Sequence, residues 1–150
     1  MRLSAEDYFK AASEYLAALR KLYENKEYVL THYVSGLAIE CLFFAFKFRS
    51  DLNATLDERH DLIELAHNSG FFDLVPEKFK ELNAALMLIS VRWKNSHRYR
   101  STKALRRYIV DEGLHRRIKG DVVKENSRII MDAALVLFTH GAKQWLLSNR

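Results

Sequence analysis

One short stretch of the sequence pairs a permanently charged side chain with one that can exchange a proton near neutral pH. Residues 92–100 read Arg-Trp-Lys-Asn-Ser-His-Arg-Tyr-Arg, so four residues separate Arg92 from His97. A guanidinium can hold a phosphate while charge develops on it, and an imidazole can move a proton to or from a ribose oxygen. The pair therefore predicts phosphodiester cleavage without a metal ion, although the spacing arises easily by chance in a chain with six histidines.

The same two residues have a structural interpretation. Arg92 could pair with an acidic side chain, and His97 could cap the end of the preceding helix, where a positive charge is favoured. Asn95 and Ser96, between them, are candidates for polar support of the chemistry. Trp93 is expected to pack in the core.

Other candidate sites have simpler interpretations. The chain contains no GxSxG, P-loop, GxGxxG, HExxH or paired CxxC motif, and its histidines are scattered, so we expect no metal site and no cofactor. Cys41 has no basic neighbour in sequence and is interpreted as a packed thiol. Glu40 is the only charge between Glu27 and Lys47. It is expected either in a structural ion pair or facing Arg92 and His97 as a supporting residue.

Positive charge is concentrated in one segment. Residues 92–119 hold ten basic and two acidic side chains, a net charge of +8, in a chain whose total is +5. A charge run is often only a solvated face, but such a segment also suits a polyanion such as RNA. The candidate RNA-binding residues are Lys94, Arg98, Tyr99, Arg100, Arg106 and Arg107.

Composition and periodicity predict an all-α protein. The 150 residues are 49% hydrophobic and include only five glycines and one proline, which disfavours strands joined by tight turns. Ser4 and Asp7 form a capping-box pattern before a first helix that ends at 25–26. Further helices are expected at 27–49, 60–68, 76–93 and 121–148, with a short amphipathic piece around Leu105, a loop at 50–59 and a non-helical basic break at 94–101.

These elements predict an up-and-down bundle of four main helices plus short helices, as a single domain over 1–150. The apolar stretch 28–46 has the length of a membrane span, but Glu40 would be costly at mid-bilayer, so a core helix is the favoured interpretation. With one cysteine and no secretory signal pattern, we expect a cytoplasmic protein.

Four features taken in order resemble a HEPN domain (higher eukaryotes and prokaryotes nucleotide-binding) of the Arg-x4-His type. They are Gly36-Leu-Ala-Ile-Glu40-Cys-Leu on the apolar second helix, Arg59-His60-Asp61-Leu62 opening a short helix, Ser69-Gly70, and Arg92 with His97. The resemblance covers roughly residues 5–145. His60 and Asp61 are interpreted as a helix cap.

The resemblance implies a helical bundle that dimerises, with the motifs of two copies facing each other across a cleft. It assigns phosphate stabilisation to Arg92 and proton transfer to His97, as in metal-independent endoribonucleases of toxin–antitoxin or defence systems. A separate antitoxin or nucleotidyltransferase chain would be the partner. The alternative is a non-catalytic module that binds nucleic acid, a nucleotide or a partner protein.

Overall fold

The computed structural model describes residues 2–55, 61–74 and 76–148, and within these ranges it contains helices and no strand. Three short 3-10 helices, Phe71–Asp73, Pro76–Lys78 and Asn95–Tyr99, lie between the α-helices. The α-helices are α1 Ala5–Glu24, α2 Tyr28–Ser50, α3 Leu62–Asn68, α4 Phe79–Arg92, α5 Thr102–Asp111 and α6 Val122–Leu147. The expected all-α helical bundle is confirmed.

Local capping signals set the helix ends. Ser4 and Asp7 form the expected capping box at α1, and Asp121 accepts from the backbone of Lys124 at the start of α6. Ser69 and Gly70 end α3, with Gly70 at φ 75°, a conformation that glycine adopts without strain.

Two predicted boundaries differ from the structure. The short helix expected from His60 begins at Leu62, because Asp61 is its cap and accepts from the backbone of Glu64. Arg59 and His60 lie outside the described residues. The helix expected from Pro76 starts with a 3-10 turn and becomes α-helical only at Phe79.

Helix α2 is the centre of the bundle. It packs along α1 and against α3, α5 and α6, while α4 packs on α6. By length and composition α2 could cross a membrane, yet 67% of its most apolar window is buried inside the bundle, as a core helix requires. Its interior contacts include edge-on packing of Phe43 and Phe46 against Phe71.

The basic break after α4 is a folded turn and not an irregular loop. Residues Asn95–Tyr99 form a 3-10 helix, and the turn is tied to α2 by Trp93, whose indole N–H donates to the carbonyl of Tyr33 at 3.0 Å. The indole covers Gly36 so closely that a Cβ there would lie 2.2 Å from ring atoms. Glycine at position 36 therefore lets the turn approach the central helix, and Trp93 packs in the core as expected.

Candidate functional site

The two motif residues lie at the junction of α4 and the 3-10 turn. Arg92 is the last residue of α4 and is half-buried. His97 lies in the turn and points inward, with 1% of its surface exposed. His97 lies against His32 of α2, while its neighbours Ser96 and Arg98 are exposed.

A buried hydrogen-bond chain links His97 to two other helices. His97 Nδ1 lies 2.8 Å from Nε2 of His32 on α2, and His32 Nδ1 lies 2.9 Å from the side-chain nitrogen of Asn126 on α6. Neither His32 nor Asn126 is exposed to solvent. The backbone N–H of Lys94 also donates to His97 Nδ1, at 3.2 Å. His97 thus caps its own turn, and not the end of α4.

Both histidines are neutral near pH 7. Burial, together with the adjacent His97 and the Arg92 guanidinium, lowers the pKa of His32 to about 3. Burial is also the main cause that lowers the pKa of His97 to about 4, with smaller contributions from Arg100 and Lys94. Burial lowers the pKa of Arg92, which nevertheless stays charged.

Arg92 and His97 each retain a buried N–H group without a protein acceptor. Among the described residues, Arg92 Nε and His97 Nε2 have no hydrogen-bond partner, and none of the ion pairs found there involves Arg92. The structural interpretation of Arg92 as half of an ion pair is therefore not supported within that part of the chain. Unpaired buried donors are costly, so an acceptor oxygen that reached either N–H group would stabilise it.

Most of the candidate RNA-binding side chains lie on the surface around this turn. Tyr99 is 76% exposed, and the Arg98 guanidinium lies 4.6 Å from its ring centroid. Arg100 is half-buried, donates to the carbonyl of Ala104 at 3.3 Å and lies 5.2 Å from the Tyr108 ring. The remaining candidates are all exposed: Lys94, Arg106 and Arg107.

Two of the candidate supporting residues, Asn95 and Ser96, lie in the 3-10 turn beside a cleft. Asn95 is half-buried, with its side-chain oxygen 3.5 Å from the Tyr33 hydroxyl, and Ser96 is exposed. Both line a cleft of about 620 Å³ beside the turn, together with Ser90, Trp93, Lys94 and residues 61–63.

Glu40 is buried on α2, eight residues after His32, which places it about 12 Å further along the helix axis. Its charge, after burial, contributes to raising the pKa of Cys41 to about 12, so Cys41 is a protonated thiol as expected. The supporting role of Glu40 stays a prediction.

Sequence reasoning missed His32 and Asn126. Both are buried polar side chains on helices whose buried positions are mostly apolar, and a buried polar group needs a partner. That requirement was the available signal, but it does not say which partner each residue meets across the bundle.

Within the described ranges, no group of three or more His, Cys, Asp or Glu side chains is arranged to hold a metal ion. No family model, curated protein or solved structure matches this chain.

Proposed function

We propose that this protein binds single-stranded RNA at the basic turn and cleaves it, without a metal ion, by attack of a ribose 2′-hydroxyl on the adjacent phosphate. The observation that carries the proposal is the pair of buried N–H donors on Arg92 and His97 that lack a protein acceptor. Lys94 and Arg98 are exposed next to them in the chain, and Arg106 and Arg107 are exposed on α5, the helix that follows the turn. The resemblance of the Arg-x4-His spacing to HEPN ribonucleases supports the same assignment.

The reaction forms one bond and breaks one. The 2′-oxygen bonds to phosphorus, the bond from phosphorus to the 5′-oxygen breaks, and the products are a 2′,3′-cyclic phosphate and a 5′-hydroxyl. Arg92 stabilises the charge that develops on the phosphate. The negative charge of a bound phosphate raises the pKa of His97 from the low value of the free protein, so that the ring takes up a proton. The protonated His97 then gives its Nε2 proton to the leaving 5′-oxygen, and water takes the proton of the attacking 2′-hydroxyl.

A second copy of the chain is part of the proposal, because the HEPN resemblance implies a two-fold dimer with the motif at the cleft. Sedimentation of the RNA-free protein should then give the mass of two chains.

A specific observation favours a second function, a non-catalytic module that binds nucleic acid, a nucleotide or a partner protein. His97 is enclosed, and its ring packs edge-on against Tyr108 at a centroid distance of 4.4 Å. An enclosed imidazole can stabilise the turn without reaching a substrate. If the module binds RNA, it uses the same basic surface and differs from the ribonuclease in leaving the RNA uncut.

The deciding experiment incubates the purified protein with single-stranded RNA in excess EDTA. We expect cleavage products with cyclic-phosphate ends, and we expect DNA of the same sequence to survive because it lacks the 2′-hydroxyl. His97→Asn is the sharpest variant, since an amide oxygen can still accept from the Lys94 N–H but cannot transfer the proton. Its cleavage rate should fall about 10²–10⁴-fold, with RNA affinity nearly unchanged.

Arg92→Lys and Arg92→Ala separate charge from geometry. Lysine retains the charge but not the planar fork of donors, and alanine retains neither, so both variants should cleave poorly. Arg20→Ala on α1 is the control and should cleave RNA like the wild type. If the wild-type protein binds RNA but leaves it intact, the ribonuclease proposal fails and the binding module becomes the proposed function.

A further inference from the structure

The hydrogen bonds around His97 have a defined direction, which one backbone group sets. The Lys94 N–H can only donate, so the His97 Nδ1 that it contacts at 3.2 Å must present a lone pair. A neutral His97 then carries its proton on Nε2. His32 Nε2, 2.8 Å from the same Nδ1, must donate to it, which places the proton of His32 on Nε2 as well.

The direction continues to α6. With its proton on Nε2, His32 presents a lone pair at Nδ1, and the Asn126 side chain must turn its NH₂ group toward that atom, 2.9 Å away. All donations therefore run one way, from Asn126 to His32 to His97. The chain ends at the His97 Nε2–H, which is buried and has no acceptor among the described residues.

We infer that His32 and Asn126 are positioning residues, which hold the His97 ring and keep its proton on Nε2, so that this N–H is left for an oxygen of the bound phosphate. The phosphate in this inference rests on the proposed function, whereas the hydrogen-bond chain can be tested without RNA. His97 Nδ1 receives two donors and is hard to protonate, so in the free protein His97 is a neutral hydrogen-bond donor.

Titratable and charged groups surround His97 on several elements. His32 faces it from α2 and Tyr108 from α5, while Lys94 and Arg100 lie at the two ends of its own turn. The charge of Arg92, at the end of α4, acts on His32, the ring next to His97. Two of these groups, His32 and Lys94, bond to His97 Nδ1, and only His32 does so through a side chain that a substitution can remove.

The direct test is nitrogen NMR of the imidazole rings in the full-length wild-type protein at neutral pH. The chemical shifts of the two ring nitrogens report which one carries the proton, so no variant has to fold. We expect the Nε2–H form for both His32 and His97. A His97 that carries its proton on Nδ1 would overturn the inference.

Substitutions then test which residue is responsible. His32→Leu removes one of the two donors to His97 Nδ1, so protonation of His97 should become about tenfold easier, a rise of about one pKa unit. His32→Gln retains an N–H near the same position and should keep the low pKa. Ser35→Ala is the matched control, because within the described part of the chain its buried hydroxyl bonds only to the carbonyl of Thr31.

Asn126 is tested in the same spectra. In Asn126→Leu the His32 Nδ1 resonance should move to that of a nitrogen without a donor. Ser127→Ala should leave it unchanged, since the Ser127 hydroxyl bonds to the carbonyl of Lys124. If the His97 pKa is the same in His32→Leu and wild type, His32 only packs in the core and does not position His97. If the His32 resonance does not move in Asn126→Leu, the same conclusion holds for Asn126.

Cleavage gives an independent readout. The pKa seen in the pH profile of kcat should rise by about one unit in His32→Leu and stay unchanged in His32→Gln, with KM for RNA nearly constant in both. If the wild type does not cleave RNA, the proposed function fails while the NMR result still decides the positioning of His97. If the wild type cleaves RNA but His32→Leu shows the same pH profile of kcat, the positioning role of His32 fails and the proposed function stands.

Discussion

At the scale of single residues, the buried histidine pair makes folding stability depend on pH. In the unfolded chain a histidine has a pKa near 6.5, whereas burial lowers the pKa to about 4 for His97 and about 3 for His32. Between these values the unfolded state binds more protons, so acid favours unfolding. The stabilisation is fully present above pH 6.5 and is lost as pH falls through the folded-state values.

We therefore expect the free energy of unfolding to fall by roughly 3 kcal/mol from His97 alone as pH drops from neutral to below its folded pKa. Urea unfolding followed by circular dichroism across this range measures it. His97→Asn should show a weaker dependence on pH, whereas His67→Gln, a change at an exposed histidine, should match the wild type. A wild-type stability that stays constant from pH 7 to pH 4 would contradict neutral buried histidines.

At the scale of elements, the approach of the 3-10 turn to α2 depends on a missing side chain at position 36. The indole of Trp93 fills the space that a Cβ at Gly36 would need, and Trp93 is held in place by its bond to the Tyr33 carbonyl. The turn, and with it His97, is thereby pinned to the helix that carries His32. Packing between two elements sets the geometry of the site.

Gly36→Ala should destabilise the protein by about 1–3 kcal/mol, because the methyl group overlaps a rigid, buried ring. Thermal or urea unfolding measures the loss. The double variant Gly36→Ala with Trp93→Ala should lose less than the sum of the two single losses, since removal of the indole removes the overlap. Additive losses would mean that Gly36 matters for another reason.

At the scale of the whole molecule, positive charge is concentrated in residues 92–119, and several of the basic side chains there form exposed surface. Arg106 and Arg107 are exposed on α5, close in sequence to the turn that carries His97. Long-range attraction of RNA to such a surface weakens with salt, because binding releases counterions from the phosphates.

Replacing both Arg106 and Arg107 with alanine should weaken RNA binding and flatten its salt dependence. Each lost phosphate contact on a single strand removes about 0.7 from the slope of log K against log salt, so the pair should remove about 1.4. Fluorescence anisotropy with a labelled RNA measures this slope. Lys10→Ala with Arg20→Ala removes two exposed cations from α1 and serves as control. An unchanged slope in the Arg106→Ala, Arg107→Ala variant would show that RNA binds at another surface.

The elements themselves could largely be predicted from the sequence. Capping residues such as Ser4 and Asp121 and the left-handed Gly70 act within a few residues of themselves, so a local pattern is enough to identify them. The buried stripe of α4, which includes Leu82, Leu86 and Ile89, was equally visible as three- and four-residue spacing. The turn at 95–99 was missed, because tertiary contacts of Trp93 and a bond to His97 hold it.

The sequence by itself determined the helical class, most helix ends, the clustering of positive charge and the candidacy of Arg92 and His97. Each of these depends on residue type, spacing or composition. Only the tertiary structure decided that His97 is buried, that Arg92 has no ion pair in the described part of the chain, and that His97 is hydrogen-bonded to His32, and His32 to Asn126. Residues 32, 97 and 126 meet because three helices pack together. Periodicity shows that a helix has a buried face, but not which side chains from other helices that face will meet.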